Sequence, residues 1–272
     1  MLNAAKSGAR AFAVLGLLVA IAACSGEGQP RSTPVPVDES QFQSPITQVL
    51  VLGMIHSGHK ESAQWGLEQV AETIRRIQPD VVCAEIPPLR WPAVWAEYRA
   101  AGTVSDSRVL RFPEYTDVLL PLKMEMGFEV VGCAAWTQEM SDARSQKLKA
   151  LAVEPELAAL NAEYELRSRA VESRHAAEPI EDGDPRVIHS QIYDERTRAS
   201  LLPYDELLND YLGSGGWTNI NRSHWALVGK AIDDHHGQRI LITFGAGHKY
   251  WLLDRLMKRE DVQLLDVVPY LP

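Results

Sequence analysis

The sequence predicts an α/β fold: a mostly parallel central sheet flanked by helices, with a helical insertion in the middle of the chain. Three observations carry this. Short runs of β-branched and aliphatic residues alternate with segments of helical spacing, the order of a parallel sheet covered on both faces. Two Gly-x-x-His motifs, one near each end of the folded part, each follow such a run and precede a helix-like segment. The stretch between them, about residues 138–216, is nearly all helical in pattern.

The elements follow in order. Residues 1–23 read as a leader: Lys6 and Arg10 precede an apolar run over 11–21, too short for a comfortable membrane span. The run closes on Ile21-Ala22-Ala23-Cys24, the pattern of a lipobox, with Cys24 as the lipidated residue. Residues 24–46, rich in Pro, Ser and Gly, read as a disordered tether. Residues 47–272 are expected to form one domain. Its first strand covers 49–55. A helix is expected over 62–77, with Ser62 as a possible cap and Trp65, Val70, Ile74 and Ile77 as its apolar positions. A second strand covers 81–86 and ends at Pro87 and Pro88. Helical stretches follow over 92–101 and 115–126, then a third strand over 129–133. The helical middle runs over 138–174 and 188–211, around a polar break. A helix over 219–234, a strand over 239–244, a helix over 250–259 and a strand over 262–268 complete the chain. With the middle set aside as an insertion, the two Gly-x-x-His strands are expected to meet in the sheet.

Composition narrows the function. The net charge is −9, and more negative once Lys6 and Arg10 leave with the leader. Such a chain has no global attraction to nucleic acid. About 225 residues remain after the tether, enough for one sizeable core. Cys83 and Cys133 lie in or at the end of strand-like runs and read as small apolar residues, a disulfide between them being left open; their spacing argues against a thiolate metal site.

The first motif is Gly53-Met54-Ile55-His56, the second Gly245-Ala246-Gly247-His248. Each places a histidine past the carboxyl end of a buried strand, where ligands gather in open α/β sheets. Gly53, Gly245 and Gly247 allow a sharp turn and a close backbone approach to a ligand. Glu85 closes the second strand in an apolar run, and a carboxylate there requires a partner or a metal. Three groups at corresponding strand ends define a site. His56, Glu85 and His248 suit a divalent metal with an open position for water; alternatively, Glu85 orients a histidine that acts as general base. His59 is either a further ligand or an exposed loop residue. His224 is read as packed beside Trp225, and His175 and His189 as surface residues flanking the polar break.

VLGMIH, DVVCAEIP and ITFGAGHKYWLLDRL, in this order, resemble the TraB/PrgY and Tiki superfamily, whose relatives include GumN, ChaN and the erythromycin esterases. The segment NINRSHWALVGKAI resembles that family's Arg-Asn helix, although here the order is Asn221-Arg222. The resemblance implies two βα halves around a central cleft and hydrolytic chemistry on a peptide, ester or lactone. It implies His56, Glu85 and His248 as catalytic residues, a divalent metal (Mn, Co or Zn) held by them, and Arg222 as the arginine that binds a substrate carboxylate or an oxyanion. The expected protein is a lipoprotein anchored through Cys24, facing the periplasm, on the outer membrane by the Ser25 that follows Cys24. The alternative is a non-catalytic haem- or ligand-binding lipoprotein of ChaN type.

Overall fold

The computed structural model describes residues 46–180 and 183–272. The expected leader, Cys24 and all but the last residue of the tether lie outside the described residues.

Five parallel strands form one sheet: β1 (Thr47–Met54), β2 (Val81–Ala84), β3 (Glu129–Gly132), β4 (Arg239–Gly245) and β5 (Val262–Leu264), in the spatial order β3-β2-β4-β1-β5. The sequence places all five. Their side chains alternate between two cores, as strand geometry requires. Leu50, Leu52 and Met54 of β1 face one core, with Trp65, Val70 and Ile74; Val49 and Val51 face the other, with Val228, Ile232 and Leu252.

α1 (Leu67–Ile77), α2 (Trp91–Ala101) and α3 (Leu120–Met126) supply the first core. α1 starts five residues later than the sequence predicts. Ser62 does not cap it: its hydroxyl accepts from the Trp65 amide and holds a turn, and Gly66 is the N-cap. Trp65 is thereby fully buried against the sheet, and its indole donates to the Gly53 carbonyl. The second core is covered by α8 (Trp217–Asp234) and α9 (Ala246–Leu256).

The insertion is α4 (Gln138–Val153), α5 (Ala158–Ala177), α6 (Pro185–Ile188) and α7 (Gln191–Leu212). The helix expected over 138–174 is two helices, because Glu154 takes extended backbone before Pro155, as a residue preceding proline must. The insertion has a small core of its own, built on Leu151, Leu208 and Leu212. No helix among the described residues is long and apolar enough to cross a membrane.

Topology positions the site. β4 lies between β1 and β2, so the two Gly-x-x-His strands are direct neighbours, with Gly53 opposite Phe244 and Met54 opposite Gly245. On the other side of β4, Ala84 pairs with Thr243, one residue before Glu85.

Candidate active site

His56, Glu85 and His248 converge at the carboxyl edge of the sheet. His56 Nε2 is 3.9 Å from Glu85 Oε2, and His248 Nε2 is 4.0 Å from Glu85 Oε1. Glu85 is buried, and its Oε2 accepts the Gly245 amide at 2.8 Å. Its own amide donates to the Tyr115 hydroxyl, which in turn donates to the Thr243 carbonyl. Tyr115 therefore closes the end of the β2–β4 ladder. Burial, then the charges of Glu85 and Glu114, push its phenol well above the usual tyrosine range.

The two histidines reach Glu85 by different routes. Beyond Met54 the chain enters a short 3-10 turn, His56–Lys60, and His56 takes φ 53°. A non-glycine residue in the left-handed region stores strain of order 1–3 kcal/mol, a condition concentrated at functional sites. β4 passes straight into α9, with Gly245 as N-cap and His248 in the first helical turn. Gly245 must be glycine: a Cβ there would lie 2.6 Å from His56 Nε2.

Hydrogen bonds at Nδ1 fix both rings. His56 Nδ1 lies 2.6 Å from Oε1 of the buried Glu114, which caps the ring as a carboxylate partner. Phe112 packs on the other side, ring centroids 4.6 Å apart. His248 Nδ1 lies 2.7 Å from Asn221 Oδ1. The Asn221 amide nitrogen donates to the Trp217 carbonyl, so its oxygen is left to accept, and His248 carries its proton on Nδ1. Trp217 stacks on His248 at 4.6 Å. Both rings therefore turn Nε2 towards Glu85.

Their electrostatics diverge. Burial opposes protonation of His56, but the hydrogen bond to Glu114 and the charges of Glu114 and Glu85 outweigh it and raise its pKa. His248 is lowered to about 3, by burial first and then by the charge of His56. His56 is also the more open ring, 31% exposed at the side chain against 13% for His248.

The donor set suits a divalent metal in kind: two imidazole Nε2 atoms and one carboxylate, each imidazole oriented from behind by Glu114 or Asn221. The spacing is wider than a closed site needs, since ligands on a tetrahedral ion lie about 3.4 Å apart. No group of three or more His, Cys, Asp or Glu among the described residues is assembled to hold a metal ion. A cation would have to draw the three groups inward by about half an ångström.

Other expected site residues fall elsewhere. His59 is neither a ligand nor an exposed loop residue. It is buried, with Nδ1 facing the Trp65 carbonyl and Nε2 accepting the Ile55 amide, so both ring nitrogens shape the turn that carries His56. Arg222 is exposed, while its neighbour Asn221 is fully buried against His248. The amides of Gly53 and Gly245 are engaged by His189 Nε2 and Glu85, not left for a ligand. Gly247 borders a cavity of about 580 Å³ with His175, Tyr193 and Arg196. His189, expected at the surface, holds the first motif's turn, with Nδ1 on the Pro185 carbonyl; burial lowers its pKa to about 4. Cys83 and Cys133 are free, buried thiols; the hydrogen bond between them and burial push Cys133 well above the usual thiol range.

The sequence reading did not single out Glu114, named Asn221 only beside Arg222, and set His224 aside. His224 is fully buried beside His248, ring centroids 5.3 Å apart, with Phe244 at 5.4 Å. The available signal was helical spacing: Asn221 and His224 are i and i+3, one face of α8. Glu114 stands between Pro113 and Tyr115 in a π-helical turn, Glu114–Leu119, an irregularity frequent at functional sites.

No family model, no curated protein and no solved structure matches this chain. The superfamily resemblance therefore stands on the motifs and their order.

Proposed function

We propose that the protein is a hydrolase of the TraB/Tiki type, in which His56 takes a proton from water and Glu114 holds the ring and raises its basicity for that role. The observation that carries this reading is the Glu114–His56 pair: a buried carboxyl 2.6 Å from Nδ1, with Nε2 directed to the open side beside Glu85. A carboxylate behind a histidine fixes the tautomer and stabilises the imidazolium formed when the water is deprotonated. His248, neutral and buried, presents Nε2 to the same space. The bond attacked is a peptide, ester or lactone. The lipobox at 21–24 supports anchoring through Cys24 at the outer membrane, with the domain in the periplasm.

A metal-assisted form of the same hydrolysis is favoured by one observation: two Nε2 lone pairs face one carboxylate, an arrangement a cation relieves. His56, Glu85 and His248 would hold the ion, and it would lower the pKa of bound water.

Metal analysis of the domain from residue 44 onward, purified without chelator or affinity metal, separates the two forms. Activity on a panel of esters, lactones and peptides tests the shared reading. His56→Ala and Glu85→Gln are expected to lose on the order of 100-fold or more in kcat/KM while keeping the wild-type circular dichroism spectrum. Two variants that match wild type on every substrate that wild type cleaves would sink it.

A further inference from the structure

β5 pairs with β1 only from Thr47 to Val49, so past Val49 the outer edge of β1 has no strand beside it among the described residues. Backbone groups of alternate residues face that edge. The Val49 carbonyl accepts the Leu265 amide there, and Gly53, two repeats on, faces the same way. Gly53 is buried, so its amide and carbonyl need partners from elsewhere. The amide donates to His189 Nε2 at 2.9 Å, and the carbonyl accepts the Trp65 indole at 3.4 Å. His189 Nδ1 lies 2.6 Å from the Pro185 carbonyl and carries the proton, which leaves Nε2 to accept. His189 closes α6, so the insertion supplies the first motif with the pairing that a longer β5 would have given.

The same junction holds the second motif. Lys249 follows His248 in α9, and its side chain is 2% exposed. Its Nζ donates at 2.5 Å to Oδ1 of Asp194, in the first turn of α7. A buried ion pair adds little net stability, but it fixes register, because either partner left alone is an uncompensated charge. The two motifs also touch. A Cβ on Gly53 would lie 3.2 Å from Ala246 Cβ and 3.4 Å from Lys249 Cδ. His189 and Lys249 line one cavity of about 250 Å³ with Val51 and Leu264.

We infer that the α6–α7 junction is a clamp on the candidate centre, in which His189 and Asp194 are positioning residues for His56 and His248. His189 holds the strand end from which the His56 turn departs. Asp194 holds the helix that carries His248. Neither touches the reacting atoms; together they set the gap in which Glu85 lies 3.9 Å from one ring and 4.0 Å from the other. The inference rests on the hydrolase reading for its rates alone; the clamp itself is independent of any reaction.

The test compares the purified full chain with His189→Leu, His189→Gln and Asp194→Asn. Two readouts are taken well below the melting temperature: the downfield NMR signal of the proton between His56 and Glu114, and kcat and KM on the ester that wild type cleaves fastest. In His189→Leu the signal is expected to move upfield or broaden away, and kcat to fall about tenfold or more with KM within about twofold. His189→Gln, whose side-chain oxygen can accept the Gly53 amide, is expected to restore both to within about threefold of wild type. Asp194→Asn keeps the hydrogen bond to Lys249 and loses the charge, so kcat should fall about threefold. If His189→Leu does not fold, amide hydrogen exchange at Gly53 in Asp194→Asn carries the comparison: faster exchange supports the clamp, and wild-type exchange overturns it. An unmoved signal with unchanged kcat in His189→Leu, or equal losses in the leucine and glutamine variants, overturns it as well and leaves the hydrolase standing. A signal lost in His189→Leu and kept in His189→Gln, in a protein that cleaves nothing, leaves the clamp standing and removes the hydrolase.

Discussion

The two Gly-x-x-His motifs are alike in spacing and unlike in chemistry. The first bends out of β1 into a strained turn and leaves His56 half-exposed against a carboxyl. The second runs directly from β4 into α9 and buries His248 against a neutral amide. The group at Nδ1 and the access to water then decide the rest: one ring is raised in pKa and the other lowered to about 3. A motif match alone would have assigned the two histidines one role. On the proposed reading His56 is the base, and His248 a fixed, uncharged partner.

The largest expected effect comes from making the first motif resemble the second. Glu114→Gln keeps the hydrogen bond and removes the charge. Because Glu114 raises the pKa of His56 and the base must be unprotonated, wild-type kcat/KM should rise with pH to a midpoint above 6.5. In Glu114→Gln the midpoint should move to lower pH, and the plateau should fall on the order of 100-fold. A pH–rate profile of both proteins checks this, and an unmoved midpoint would break the contrast.

The converse change should matter less. Asn221→Asp places a charge behind His248 and should raise its pKa from about 3. Nδ1 already donates to that position, so activity should fall only about tenfold. Histidine NMR titration reads the shift. The smallest effect is expected at Arg222, which is exposed. Arg222→Ala should leave activity within about twofold and stability within about 0.5 kcal/mol. A large loss there would give Arg222 the carboxylate- or oxyanion-binding role that the resemblance implies.

What could be read from the sequence follows a physical division. The strands were legible because a parallel sheet buried on both faces demands continuous apolar runs, as in residues 49–52 and 240–242. His56, Glu85 and His248 were legible because polar groups that end such runs stand out. The start of α1 was not, because Ser62 accepts the amide three residues on, as a helix cap does, yet holds only a turn before Gly66. Glu114 and Asn221 were not, because helices and loops tolerate polar residues at most positions, and only tertiary packing shows which of them are buried. His189 was hidden for the same reason: its partner, the Gly53 amide, is 136 residues away.

The placement of β4 has a consequence for how the chain acquires its site. β1 and β2 are consecutive in sequence, yet they do not touch, because β4 fills the gap between them. A growing chain that has emerged only as far as residue 238 therefore contains His56 and Glu85 with nothing to hold them at their final separation. The contacts that align them, from Gln48 opposite Arg239 to Met54 opposite Gly245, span about 190 residues of sequence and close loops of high entropic cost. Assembly of the centre thus waits for β4, and a chain truncated before residue 239 lacks both His248 and the strand that aligns His56 with Glu85.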